Sequence, residues 1–116
     1  MGPEPDTCRG DILDDVRTYT GTLIADLLLP AARTLKERRG PLRSLQQKLR
    51  NHDFAVAQVG PSELTQRAFL AISVVSGQVH LVDELLDGAE RIIFASDFEV
   101  SDLRRNIDSD TFYSGA

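Results

Sequence analysis

The chain has 116 residues, a formal net charge of −5 and 41% apolar side chains, enough for one globular domain and short for two. A single cysteine, Cys8, excludes an intramolecular disulfide or a multi-thiolate metal site, in keeping with a reducing cytoplasm. No apolar run is long enough to span a membrane, and residues 1–15 lack the basic and apolar regions of a secretory signal.

The net charge conceals a block structure. Residues 1–20 carry −3, residues 21–32 carry −1 from Asp26, residues 33–50 carry +6, and residues 51–116 carry −7. A basic segment therefore sits in an otherwise acidic protein, and the local field rather than the overall pI decides what docks there.

Residues 1–17 lack apolar periodicity and read as an acidic arm expected to be mobile. A strand follows over residues 19–29, rich in Thr and aliphatics, with Asp26 marking one polar face and Pro30 ending it. Leu42, Leu45 and Leu49 fall at i, i+3 and i+7, which places them on one helical stripe. We read a helix from Pro41 to about Asn51, with Gly40-Pro41 as its break and residues 34–39 as a separate turn or kinked segment. An uninterrupted helix would turn Arg38 to the buried side, where an unpaired guanidinium is costly.

Residues 54–59 alternate, a turn around Gly60-Pro61-Ser62 follows, and residues 68–76 form a second apolar run; together they predict two antiparallel strands. Val79, Val82, Leu85, Leu86, Ala89, Ile92 and Ile93 then trace the apolar arc of a second helix. Residues 98–107 fit a charge-rich edge strand, and 109–116 a tail. The order β-α-β-β-α-β predicts an α+β, ferredoxin-like domain over residues 18–108. Its four-stranded antiparallel sheet would carry both helices on one face and leave the other face open.

Several short motifs fit this frame. Leu35-Lys36-Glu37-Arg38-Arg39 is followed by Arg43-Ser44-Leu45 and Leu49-Arg50-Asn51, then Val56-Ala57-Gln58-Val59 and Leu64-Thr65-Gln66-Arg67-Ala68. In this combination the chain resembles the YlxP-like family of small bacterial proteins (domain of unknown function 503) over residues 19–107. The chain departs from the family pattern at Thr34 (usually Ser), at Gly40-Pro41 and at Thr65 (often Trp). The resemblance implies a ferredoxin-like fold, no established catalysis, and genes found beside those for translation initiation and ribosome maturation factors.

Projected on an ideal helix, Lys36, Arg39, Arg43, Gln47 and Arg50 lie within an arc of about 80° beside the leucine stripe. Guanidinium groups offer paired donors and permanent charge, which suits phosphates. Lys36, Arg38, Arg39, Arg43, Arg50 and Arg67 are therefore the candidate RNA contacts. The plainer reading of this band is a solvated flank whose charges pair with the acidic second helix. On the first strand, Thr22, Ile24, Asp26 and Leu28 share one face that is too apolar for free exposure, and they are the candidate surface for a homodimer. Phe69 is the one aromatic placed to stack a base on a sheet of this kind.

His80, Glu84 and Asp87 at i, i+4 and i+7 are spaced for a shared cation, but too few other His and Cys residues exist to close a site; no metal and no cofactor is expected. Glu63 and Arg67 suggest a local ion pair. No phosphate loop, nucleophile elbow or Cys/His pair is present, so an enzyme is not expected. The leading expectation is an accessory protein of bacterial translation, cytoplasmic, contacting RNA or a ribosomal subunit; the alternative is a homodimeric interaction or ligand-binding module without an RNA role.

Overall fold

The computed structural model describes residues 12–112. A helical turn at residues 12–14 precedes β1 (Arg17–Leu28), α1 (Leu35–Asn51), β2 (Ala55–Val59), β3 (Arg67–Ser76), α2 (Val79–Phe94) and β4 (Glu99–Thr111). The strands form one sheet in the order β2-β3-β1-β4, and every neighbouring pair is antiparallel. The fold is thus α+β with an open four-stranded antiparallel sheet.

Alternation along β1 sorts the two faces. Leu23, Ala25 and Leu27 are fully buried, while Thr22, Ile24, Asp26 and Leu28 are only partly covered. On β3, Ala68, Leu70 and Ile72 continue the buried face. Against them pack Leu42, Leu45 and Leu49 of α1 and Val82, Leu86, Ala89 and Ile93 of α2, closing one core with Phe54 and Phe98. The predicted apolar arc of α2 is too broad at its edges, since Val79 and Leu85 remain exposed.

Gly21 fixes how closely α2 approaches β1. A Cβ there would lie 2.4 Å from Val82 Cγ1 and 2.8 Å from Leu86 Cδ1, so only hydrogen fits beneath the helix. Positive φ occurs at Gly60 (72°), where β2 turns away, and at Asp53 (68°), which follows α1. Against β4, the register of β1 shifts between Asp26 and Leu27, so Ser101 is the extra residue of a bulge.

The expected break in the first helix is absent. Thr34 caps it, its hydroxyl accepting from the Glu37 N–H at 3.1 Å, while the Glu37 carboxylate accepts from the Arg33 N–H at 2.9 Å. The helix then runs unbroken through Pro41. Arg38 does turn to the buried side, but its tip is satisfied there: Nη1 donates to the carbonyls of Leu64 and Arg67, each at 2.6 Å, and Nη2 to that of Ser62 at 3.1 Å. Carbonyls turned inward by the β2–β3 connection supply what the sequence does not display.

β4 is an edge strand, as its charge suggested, but longer than predicted. Ser109, Asp110 and Thr111, expected in a tail, pair with Tyr19, Thr18 and Arg17. Arg17, expected in the N-terminal arm, is therefore a ladder residue; residues 1–11 of that arm, and 113–116 of the tail, lie outside the described residues. Among the described residues no helix is long and apolar enough to cross a membrane.

Candidate nucleic-acid interface

Because α1 is continuous, its basic face is longer than the Gly40-Pro41 break would have allowed. Lys36, Arg39, Arg43, Gln47 and Arg50 are all exposed and follow one side of the helix, about 21 Å from first to last at 1.5 Å per residue. Gln47 donates to the Asn51 side chain at 2.9 Å, and Arg50 reaches the Val56 carbonyl of the edge strand β2 at 3.3 Å. Among the described residues, Lys36, Arg39 and Arg43 make no ion pair.

Of the four acids on α2 that were expected to neutralise this band, all but Glu84 are engaged elsewhere. Arg105 of β4 lies on the helix-covered face opposite Leu23 and donates to Asp83 (2.9 Å), Asp87 (2.9 Å) and Glu90 (2.8 Å) of α2. Burial acts to lower its pKa, but hydrogen bonds to Asp87, Glu90 and Asp83 outweigh it and hold the guanidinium above the ordinary arginine value. The spacing of those three acids, one turn apart, was itself a sign that a cation sits among them. Asp87 is thereby removed from the His80-Glu84-Asp87 set, and no group of metal-ligating side chains stands together among the described residues.

Two other candidate residues leave the band. Arg38 is held inside by its three carbonyls and is only 4% exposed, so it does not stand with the exposed side chains of the band. Arg67 lies on the open sheet face, away from α1, and pairs with Asp26 rather than Glu63. Its Nε and Nη2 donate to the two carboxylate oxygens at 2.9 and 2.8 Å, and its guanidinium carbon lies 4.9 Å from the centre of the Phe69 ring. The bond to Asp26 and then its charge raise the Arg67 pKa. A candidate RNA contact and a candidate interface residue are thus partners in one fork-to-fork pair.

The open face carries Thr22, Ile24, Asp26 and Leu28 as expected. The register sets Ile24 beside Ala71 and Ala71 beside Ala57, while Phe69 lies between Val59 and Asp26. Asp26 stands directly opposite Asp102 of β4, and each is matched by its own arginine: Asp102 accepts from Arg104 Nε at 2.9 Å. These two carboxylates are therefore each neutralised by an arginine.

Two of the grooves that flank α1 among the described residues bear on the site. One, about 460 Å³, runs between the helices past His52, Phe54, Glu84, Leu85 and Arg91. At its edge His52 Nδ1 lies 2.9 Å from the Lys48 carbonyl, a helix C-terminal contact. The other, about 370 Å³, lies between α1 and β2, with Arg38, Arg39, Arg43, Gln46, Gln58 and Ser62 along it. Sequence reading missed the second groove because nothing local brings Gln58 to α1.

Taken together these features define a small α+β domain with an open antiparallel sheet and a free basic helix. Residues 20–105 match the family described as Protein of unknown function (DUF503), and the chain belongs to that family. No curated protein matches it. Among solved structures it is similar to the de novo designed protein Ferredog-Diesel (12% identity, 75% of this chain and 83% of that one, TM-score 0.45). It is also similar to the de novo designed protein Foldit4 (7%, 82% and 98%, 0.46) and to the structural-genomics protein YJCS (14%, 75% and 96%, 0.40).

Proposed function

We propose that this chain is a ferredoxin-like, non-enzymatic accessory protein of the bacterial cytoplasm that contacts RNA phosphates through α1, in translation or ribosome maturation. The strand order β2-β3-β1-β4, with both crossover helices on one face, supports the ferredoxin-like reading. The observation that carries the RNA reading is the row Lys36, Arg39, Arg43 and Arg50, exposed on one helix while three of the four acids of α2, Asp83, Asp87 and Glu90, are held by Arg105. Free cations spaced along a helix meet phosphates without needing base contacts.

The test is co-sedimentation with ribosomal subunits over a salt series, comparing the natural chain with Arg43→Glu/Arg50→Glu. The reading requires salt-sensitive binding that the double variant loses. Unchanged binding in that variant would reject it.

A second reading is favoured by the apolar strip Val59, Phe69, Ala57, Ala71 and Ile24: the open face pairs with a second copy. Under this reading Ile24→Asp is a monomer where the natural chain is a dimer. A natural chain that sediments as a monomer at high concentration removes it.

A further inference from the structure

We propose that the groove between α1 and the edge strand β2 is a phosphate-binding pocket, an inference that rests on the basic face of α1 and narrows it to one anchoring point. Arg38 is only 4% exposed, and among the described residues no carboxylate pairs with it. Its three acceptors are neutral carbonyls, and its buried Nε–H has no acceptor at all. A cation held inside a protein without a counter-charge is costly, and that cost falls when an anion settles beside it. The carbonyls also fix the plane of the guanidinium, so little ordering remains to be done on binding.

The walls complete the pocket. Arg39 and Arg43 stand along the helix side without an ion pair, and no Asp or Glu lines the groove. Gln46 from α1 and Gln58 from β2 make no side-chain hydrogen bond among the described residues, and Ser62 adds a hydroxyl. Arginines and amides together supply more donors than the two oxygens of a carboxylate can accept; a phosphate accepts them. The larger groove between the helices lacks this bias, since Glu84 lies there with Lys48 and Arg91. On the open face each arginine already holds a carboxylate.

The phosphate can be a monoester or the diester of an RNA strand, and one titration separates them. The full chain, labelled with nitrogen-15, is titrated with uridine monophosphate, with uridine, and with hexauridylate lacking terminal phosphates. The pocket requires at least one of the two phosphate ligands to shift the Gln46 and Gln58 amide signals, with uridine silent. Arg39→Gln/Arg43→Gln weakens that binding by about tenfold or more, whereas Lys48→Gln/Arg91→Gln, a variant of equal charge loss in the groove between the helices, changes it by less than about threefold. A response to uridine monophosphate alone keeps the pocket as a monoester site and removes the RNA reading. Hexauridylate binding that survives Arg39→Gln/Arg43→Gln without shifting Gln46 or Gln58 overturns the pocket and leaves the basic-helix reading standing. No response to either phosphate ligand overturns both.

Discussion

The guanidinium of Arg38 donates to the backbone carbonyl of Arg67 across 2.6 Å, joining the start of α1 to the first residue of β3. A helix and a strand far apart in sequence are fastened by one side chain with no carboxylate among its partners. Arg38→Leu leaves the three carbonyls without their donors, and we expect a loss of about 3 kcal/mol in urea unfolding. A loss under about 1 kcal/mol would mean that water replaces the guanidinium without penalty.

Gly21 gives a prediction of opposite cause. Gly21→Val drives side-chain atoms into Val82 and Leu86, which would stand only 2.4 and 2.8 Å from a Cβ at this position, and should cost about 3 kcal/mol or more. Adding Val82→Ala to that variant should recover part of the loss. Independent, additive effects in the double-variant cycle would contradict the close approach of α2.

At Gly40 the expected change is a gain. Beyond its chain neighbours and the backbone of its own helix, a Cβ there meets nothing within 4 Å, and the residue sits inside α1, so Gly40→Ala should stabilise by about 0.5–1 kcal/mol in thermal or urea unfolding. A neutral or negative effect would indicate that crowding of the new Cβ by the Pro41 ring outweighs the gain in helix propensity.

Arg105→Gln should release the acidic face of α2. The cluster is partly exposed, so the expected loss is only about 1 kcal/mol, and it should shrink in high salt. A loss that is independent of salt would locate the effect in packing of the arginine stem instead.

The salt dependence of RNA binding follows from the number of free cations. Four contacts, from Lys36, Arg39, Arg43 and Arg50, give a log-log slope near −2.8 on single-stranded RNA, at about −0.7 per phosphate. A slope near zero in filter binding or fluorescence titration would exclude a phosphate-driven interaction.

The elements that could be read from sequence are those with strong periodicity. The leucine stripe of α1, the apolar arc of α2 and the alternation of β1 each specify a face locally, and Asp26 correctly marked the open one. What escaped depended on distant backbone. Arg38 looked too costly to bury inside a helix because its carbonyl partners come from residues 24 to 29 positions later. Arg67 reads locally as a partner of Glu63 because its actual partner, Asp26, lies 41 positions earlier. Of the candidate site, the order of basic side chains along α1 was legible, but which of them remain unpaired was not. That is decided by Arg105, which nothing local to β4 places beside α2.

β1 lies between β3 and β4, and its ladder with β4 pairs Arg17 with Thr111. During synthesis β1 therefore waits for the later β4 before its second edge is satisfied. Until then a row of backbone donors and acceptors on the central strand stays open to water or to other chains. The long charged β4 acts as a late-arriving seal, and its Asp and Arg side chains then discourage further strands from adding to the finished edge.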